Sequence, residues 1–336
     1  MPDLINVFDF DLTATLECGQ AFRWSRCGEN GWHEGVVGKA VWRLRQTSDS
    51  VVEAVVPGGC GKKTLPPGTA TATLMSRYLS LDRSLPQIVA TFPADDQALH
   101  AAVRRHWGLR VLRQEPWECL ASFIASSTKQ IVQIRQIVEL LARRFGEPIA
   151  PADARAGGSR RAQDWPLGKG TEWYHTFPTI EAIARATHDQ LWNCKLGFRA
   201  KNLLAAARTI DSGKIDWAKI TDGQNGQDAR SPMDYETALA ELMKLPGVGE
   251  KIANCTLLFA CGFDEAFPVD VWIERALRRI YFAGKKKVTA RQLREFARSH
   301  FGPYAGWAQQ YLFFNERLLR KHRPRRGQTL LDVGTQ

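Results

Sequence analysis

The first part of the chain alternates between apolar and polar side chains over residues 21–56, where Phe22 and Trp24, for example, flank a polar residue. Period-two alternation is typical of β-strands that bury one face. Turn-forming side chains interrupt the alternation at residues 30–31 (Asn-Gly) and 47–50 (Thr-Ser-Asp-Ser). The pattern therefore predicts an antiparallel sheet near the N-terminus.

From about residue 84 onward the apolar side chains recur every three or four positions, which is the spacing of helices with one buried face. The clearest repeat covers residues 131–145 and stops at Gly146. Pro116 is suited to the first turn of a further helix. Ser231, which precedes a proline, is a candidate N-cap for another. These signals predict a second, larger part built from helices.

Two segments, residues 57–72 and 151–170, are rich in Gly, Pro and Ala and have no period, which predicts a loop and a mobile insertion. Strand patterns followed by helix patterns predict an α+β fold. We place a β-sheet domain at residues 1–112, an all-helical domain at residues 113–325 and a C-terminal tail at residues 326–336.

The chain of 336 residues carries 46 Lys and Arg against 35 Asp and Glu, a formal net charge of +11. An excess of positive charge favours a polyanionic partner, and nucleic acid is the first candidate. Part of the excess lies in residues 317–326 (RLLRKHRPRR), which also suit phosphate contacts. We interpret this run as a solvated tail.

The seven cysteines are scattered and contain no CxxC pair. This argues against a disulfide framework and a zinc site, and it favours a reducing, intracellular compartment. No run approaches the about 20 consecutive apolar residues of a transmembrane helix, so we expect no membrane partner. No metal site is predicted.

The most informative segment contains LPGVGEK at residues 245–251. Gly247 and Gly249 permit a sharp turn between two helices, and the backbone N–H groups that open the second helix suit a phosphate. Such a helix-hairpin-helix would hold the DNA backbone without reading bases. A plain interhelical turn is the alternative. A nucleotide P-loop is excluded because its glycine spacing and its Ser or Thr are missing.

Candidate chemistry follows this hairpin. Lys251 lies in the first turn of the second helix, where the helix dipole disfavours an ammonium and favours the neutral, nucleophilic amine. Cys255 lies one turn later on the same face. Asp270, nineteen residues after Lys251, is placed to cap the next helix, and we expect the cap to keep its carboxylate charged. A solvated lysine and a purely structural cap remain the alternatives.

Three motifs together resemble a known family. LPGVGEK followed by Pro-Val-Asp at residues 268–270 is similar to the hallmark of the helix-hairpin-helix DNA glycosylases. Within that superfamily, residues 18–24 (CGQAFRW) and 306–313 (GWAQQYLF) resemble the 8-oxoguanine DNA glycosylases. The resemblance spans nearly the whole chain. It implies a TBP-like antiparallel sheet domain followed by a helical HhH-GPD domain.

The resemblance also implies a reaction. Lys251 would attack C1′ of a flipped nucleotide and expel the damaged base, and the resulting Schiff base would permit β-elimination, while Asp270 would stabilise the oxocarbenium-like charge. The implied partner is double-stranded DNA containing 8-oxoguanine, bound by a monomer. No cofactor is implied beyond a monovalent cation in the hairpin. An iron–sulfur cluster is excluded because it needs four cysteines after Asp270, whereas the last cysteine is Cys261.

By the same resemblance, four residues would recognise the flipped base. The Gly19 carbonyl would accept the N7 hydrogen that 8-oxoguanine has and guanine lacks. Cys255 and Phe313 would sandwich the ring, and Gln309 would bind its Watson–Crick edge. Without the resemblance, Cys255 and Phe313 are equally explained as core residues and Gly19 as a turn residue.

Further residues would contact the DNA. Phe198 corresponds to a wedge aromatic, Arg199 to an arginine that reads the opposite cytosine, and Trp272 to a phosphate-contacting histidine of the animal enzymes. Thr128 and Gln133 depart from the Asn and Arg found there in those enzymes. The opposite base is therefore left unassigned.

Two other functions are compatible with the hairpin. One is a monofunctional alkylated-base glycosylase, in which Asp270 would assist attack by water. The other is a non-catalytic helix-hairpin-helix DNA-binding protein. Lys251 argues against the first, and the presence of both Lys251 and Asp270 argues against the second.

Overall fold

The computed structural model describes residues 2–28, 30–59, 71–151, 174–221, 233–284 and 288–321. The strands are β1 (Asp3–Asn6), β2 (Trp24–Cys27), β3 (Trp32–Val37), β4 (Ala40–Ser48), β5 (Val51–Gly59), β6 (Pro148–Pro151) and β7 (Tyr174–His175). The helices are α1 (Leu12–Glu17), α2 (Thr71–Tyr78), α3 (Leu85–Val89), α4 (Gln97–Arg105), α5 (Pro116–Ser126), α6 (Ile131–Phe145), α7 (Ile180–Ala184), α8 (His188–Leu191), α9 (Arg199–Asp211), α10 (Trp217–Thr221), α11 (Tyr235–Met243), α12 (Glu250–Ala260), α13 (Val271–Tyr281), α14 (Ala290–Phe301) and α15 (Ala305–Lys321).

The predicted antiparallel sheet is present. Strands β2 to β5 follow one another as a meander, and β1 pairs with β5. Trp24 lies opposite Gly35, where a Cβ atom would come within 2.6 Å of the indole, so the glycine makes room for the ring. Trp24, Trp42 and Leu44 form a core with α2 residue Met75. Alternation along the strands therefore predicted the buried face correctly.

Several local predictions for this part are wrong. Phe22 lies ahead of β2 rather than in a strand, and its ring packs edge-on against Phe123 of α5, with centroids 5.5 Å apart. The loop predicted at 57–72 begins with the last residues of β5, which pair with β6. Residues 60–70 lie outside the described residues. Pro151 belongs to β6, and residues 152–170 of the predicted insertion also lie outside the described residues.

The remainder is helical apart from β6 and β7, which come from the predicted all-helical domain and extend the sheet. This confirms the α+β class. Helix α6 matches the prediction, ending at Phe145 with Gly146 as its C-cap. The predicted cap of α11 is wrong, because Asp234 accepts the N–H of Thr237 at 3.0 Å. Ser231 lies outside the described residues.

Helices α5 and α12 pack in the middle of the helical core. Phe123 and Phe259 stack with centroids 5.7 Å apart, and the Cys119 thiol lies 3.9 Å from the Cys255 carbonyl oxygen. This packing fixes the start of α12 against the end of α5. The candidate catalytic segment is therefore held by buried contacts on rigid helices.

Candidate active site

A cavity of about 850 Å³ opens where α5, α6, α12, α13 and α15 meet the loop that follows α1. Pockets of this size commonly hold small-molecule ligands. The cavity brings together all six residues predicted to act on the lesion, although they are spread over nearly 300 positions in the sequence. These are Gly19, Lys251, Cys255, Asp270, Gln309 and Phe313.

The hairpin between α11 and α12 has the predicted form. Leu245 and Val248 are buried, and the Val248 N–H donates to the Leu245 carbonyl at 3.0 Å. Gly247 has a φ of +80°, and a Cβ atom there would lie 2.5 Å from the Cβ of Asn202. Gly249 is the N-cap of α12 and makes no side-chain cap. The exposed N–H groups at this helix start therefore suit a phosphate.

Lys251 lies in the first turn of α12 and is half-buried. Its Nζ atom is 3.5 Å from the Ser126 hydroxyl oxygen and 4.7 Å from the centroid of the Phe123 ring. No carboxylate comes within 4 Å of this amine in the part of the chain that the structure describes. Lys251 therefore lines the cavity from a helix N-terminus, against an aromatic face and without an ion pair among the described residues.

Asp270 caps α13 as predicted. Its Oδ1 atom accepts the N–H groups of Trp272 at 3.0 Å and Ile273 at 2.8 Å. Burial raises the pKa of Asp270 above its usual range, an effect that the sequence pattern does not reveal, and a charged carboxylate stays a prediction. The two N–H groups and the Lys251 charge lower the pKa and offset part of this effect. The carboxylate therefore lies in a desolvated place that favours a nearby positive charge.

Three further predicted residues, Cys255, Gln309 and Phe313, form part of the cavity wall. Cys255 is buried, and burial raises the pKa of its thiol to about 11, so the sulfur stays neutral. Phe313 is half-buried on α15. Gln309 is 4% exposed, and its Oε1 atom has no hydrogen-bond partner within the described ranges. An unpaired buried acceptor is costly, so its position in the cavity wall points to a ligand with N–H groups.

Gly19 is held in place by its neighbour. The side chain of Gln20 is buried, accepts the Leu112 N–H at 2.9 Å and donates to the Arg110 carbonyl at 2.8 Å. These bonds tie the loop to the segment that leads into α5. Gly19 itself has a φ of +94°, a conformation that favours glycine. The role of Gln20 was not predicted, although it lies within the motif at residues 18–24.

Of the residues predicted to contact DNA outside the hairpin, only some line the cavity. Thr128 and Trp272 line it, whereas Gln133 is exposed on α6. Phe198 is 63% exposed, and the guanidinium of Arg199 lies over its ring, with Cζ 4.3 Å from the ring centroid. Arg199 is 3% exposed.

The guanidinium of Arg199 binds the protein's own backbone and loops. It donates to the Leu196 carbonyl at 3.1 Å, to the Ser127 carbonyl, and to the Thr128 hydroxyl at 2.5 Å. Thr128 has a φ of +58°, so Arg199 stabilises a strained loop beside Ser126. In this conformation Arg199 does not reach a base, and its contact with cytosine stays a prediction.

The interpretation of residues 317–326 as a tail is wrong for Arg317. This residue lies in α15 and lines the cavity. The signal was available in the sequence, because Gln309, Phe313 and Arg317 are spaced by four and so share one helix face. Residues 322–336 lie outside the described residues.

Comparison with known proteins agrees with this geometry. A family model described as the 8-oxoguanine DNA glycosylase N-terminal domain matches residues 4–120. A second, described as HhH-GPD superfamily base excision DNA repair protein, matches residues 121–299. The chain belongs to the 8-oxoguanine DNA glycosylase family of the HhH-GPD superfamily. This membership confirms the predicted resemblance and fold class.

Relatives of this glycosylase match over most of their length. The N-glycosylase/DNA lyase of Saccharomyces cerevisiae is 30% identical over 93% of this chain and 85% of that protein. The N-glycosylase/DNA lyase OGG1 of Arabidopsis thaliana is 29% identical over 92% of this chain and 78% of that protein.

A solved structure extends the likeness to three dimensions. The Clostridium acetobutylicum 8-oxoguanine glycosylase/lyase, in complex with double-stranded DNA containing cytosine opposite 8-oxoG, superposes with a TM-score of 0.76. It is 28% identical, and the match covers 95% of this chain and 98% of that one.

Across the described ranges of our glycosylase, no helix is long and apolar enough to cross a membrane.

Proposed function

We propose that this glycosylase removes 8-oxoguanine from duplex DNA and then cleaves the strand at the abasic site, as an enzyme of base excision repair. The observation that carries the proposal is that Lys251 and Asp270 line one cavity together with the apolar side chains of Phe22, Phe123 and Phe313. Family membership supports the same activity, because the relatives named above are N-glycosylase/DNA lyases. A base must leave the duplex to reach such a cavity.

Lys251 is the proposed nucleophile. Its amine attacks C1′ of the flipped nucleotide, and the electron pair of the C1′–N9 bond leaves with the base. The new C1′–N bond then becomes a Schiff base as the sugar ring opens. Loss of a C2′ proton expels the 3′ phosphate. The amine lies at the N-terminus of α12 and lines the cavity, which places it within reach of a nucleotide flipped into that cavity.

Asp270 is the proposed electrostatic partner. As C1′ loses the base, positive charge develops on the sugar, and a carboxylate nearby stabilises it. Burial raises the pKa of Asp270 because the charged form is poorly solvated. The same desolvation strengthens its attraction to a cation that forms only in the transition state.

Selection of the oxidised base is proposed to come from the other residues that line the cavity. The Gly19 carbonyl accepts the N7 hydrogen of 8-oxoguanine and repels the N7 lone pair of guanine. Gln309 offers its unpaired Oε1 to N–H groups on the Watson–Crick edge. Phe313 and the neutral thiol of Cys255 enclose the ring.

The DNA backbone is proposed to lie on the hairpin, with Gly247 and Gly249 allowing close approach of phosphates. Phe198 fills the space left by the flipped nucleotide. The predicted monovalent cation would use backbone carbonyls of residues 245–249, since hard cations prefer oxygen ligands. The monomeric state stays a prediction, and no opposite base is assigned.

The deciding experiment is borohydride trapping on a duplex with a single 8-oxoguanine opposite cytosine. We expect a covalent adduct with the unmodified protein and none with Lys251→Ala, which should still bind the duplex. An adduct formed equally by Lys251→Ala would overturn the nucleophile. Excision without any trappable adduct would instead indicate attack by water, as in a monofunctional glycosylase. Binding without excision would indicate a non-catalytic DNA-binding protein.

A further inference from the structure

Arg317 lines the cavity and has no part in the function proposed so far. It follows Phe313 by four residues and Gln309 by eight along α15, and all three line the cavity from one helix face. Eight residues of helix span about 12 Å. Gln309 and Arg317 therefore lie toward opposite ends of this wall, with the stacking residue Phe313 between them.

Arg317 lies beside the loop that carries Gly19. Its Nη1 atom would be 3.0 Å from a Cβ atom added to Gly19, and it donates to the Glu17 carbonyl oxygen at 3.1 Å. A guanidinium has five N–H donors. The bond to Glu17 is the one hydrogen bond that Arg317 makes among residues 2–321 where these are described. Most of its donors are therefore free to bind a ligand.

The surroundings of Arg317 are positively charged. Burial lowers the pKa of Arg317 and the like charge of Arg135 on α6 acts in the same direction, whereas Cys18 and the Glu17 carboxylate act in the opposite direction. The Arg135 Nε is buried without a partner among the residues described. The Glu17 carboxylate already pairs with Arg26, at 3.2 Å to its Nη2. This end of the cavity therefore favours a ligand with an acceptor oxygen and negative charge.

We propose that Arg317 donates a hydrogen bond to the exocyclic oxygen on C8 of the flipped oxidised purine and stabilises that base as it leaves. The inference rests on the proposed function, because it assigns a contact within the same cavity. If the Gly19 carbonyl accepts the N7 hydrogen, the C8 oxygen lies on the next ring atom, beside Arg317. Guanine has a hydrogen on C8, so it would leave the guanidinium desolvated and unpaired.

The same contact acts on the reaction. As Lys251 forms its bond to C1′, the electron pair of the C1′–N9 bond leaves with the base and spreads over its carbonyl oxygens. The departing base later takes a proton from water. A cation at the C8 oxygen interacts more strongly with this anion than with the neutral substrate, so it raises the rate of excision. A preformed abasic site carries no nucleobase, so β-elimination there should not depend on Arg317.

The test separates these two steps with two variants and a matched control. Arg317→Leu removes the donors, and Arg317→Gln is a polar replacement that removes the charge. Arg105→Leu removes an exposed arginine that contacts α15 through Asn315, 2.7 Å away, and that does not line the cavity. Each protein is assayed under single turnover on an 8-oxoguanine duplex and on a duplex with a preformed abasic site.

We expect both Arg317 variants to excise 8-oxoguanine about 10- to 100-fold more slowly, the range for one hydrogen bond to a charged group. Cleavage of the abasic duplex should be unchanged, and Arg105→Leu should leave both rates unchanged. Should Arg317→Leu fail to fold, Arg317→Gln decides the question.

Excision at the unmodified rate would overturn the inference. Equal losses on both duplexes would also overturn it, since they would indicate a phosphate contact or a scaffold role. If the unmodified protein cleaves the abasic duplex but does not excise 8-oxoguanine, the proposed function fails instead.

Discussion

Replacing Gly247 by alanine tests whether the hairpin depends on the turn seen in the structure. Gly247 has a φ of +80°, where an alanine costs about 1–2 kcal/mol. Its Cβ atom would also lie 2.5 Å from the Cβ and 2.7 Å from the Cγ of Asn202. The Cβ of Asn202 can move only with α9, and overpacking of this kind costs about 1–3 kcal/mol. The expected loss is therefore about 2–5 kcal/mol in total.

Gly249→Ala is the matched control, two residues away in the same turn. Gly249 has a negative φ of −92°, and no atom lies within 4 Å of the position that an added Cβ would take. Alanine is a poorer N-cap than glycine, so a loss of at most about 1 kcal/mol is expected. Urea and thermal unfolding of the two variants should therefore differ clearly, with Gly247→Ala the less stable.

Gly247→Ala should also weaken DNA binding. If Gly247→Ala displaces the turn, the N–H groups that open α12 no longer face a phosphate, and affinity for undamaged duplex should fall at every salt concentration. A Gly247→Ala variant that unfolds and binds DNA like the unmodified protein would refute this expectation, as would a Gly249→Ala variant that is equally destabilised.

Three further outcomes are expected. Asp270→Asn should slow excision by at least about 100-fold, because the neutral amide cannot stabilise the sugar cation, yet it should unfold at the same or a higher temperature near neutral pH. Asparagine caps helices as well as aspartate does. At pH values above the raised pKa of Asp270, its buried carboxylate is charged, which costs stability. A large loss of stability in Asp270→Asn would therefore contradict this account. Burial raises the pKa of Glu118 to about 7 from 4.5, so the folded state holds its proton more tightly than the unfolded state and stability should fall as pH rises through this window. Urea unfolding across that range should show a flatter profile for Glu118→Gln, and parallel profiles would contradict the assignment. Phe198→Ala should slow excision, because it loses stacking on DNA that is worth roughly 1–3 kcal/mol. The melting temperature should stay unchanged, because the ring is 63% exposed. A lowered melting temperature would mean that the ring contributes to the stability of the fold.

Local patterns predicted the elements that depend on neighbours in the chain. Helix α6 matches its predicted residues 131–145, and Asp270 caps α13, because periodicity and capping are decided within a few residues. Phe22 was misplaced because alternation cannot tell a strand from the loop before it. The distant helix residue Phe123, not the local pattern, decides where its ring packs.

The charges of the site were predicted less well than its members. The motifs identified Lys251, Asp270 and Gln309 as site residues, since each lies in a short recognisable segment. Burial, which raises the pKa of Asp270, depends on side chains from several helices. Arg199 likewise is directed inward by carbonyls at Leu196 and Ser127, and no local signal reports such partners.

The sequence by itself determined the order of sheet and helices, the hairpin and the family, because each is carried by periodicity or by a short motif. Only the tertiary structure decided that Arg317 lines the cavity instead of belonging to a tail, that Gln309 keeps an unpaired acceptor, and that burial raises the pKa of Asp270. These properties depend on solvent exclusion and on contacts between residues far apart in the chain. A sequence pattern reports neither solvent exclusion nor long-range contacts, so these properties are decided only when the helices pack together.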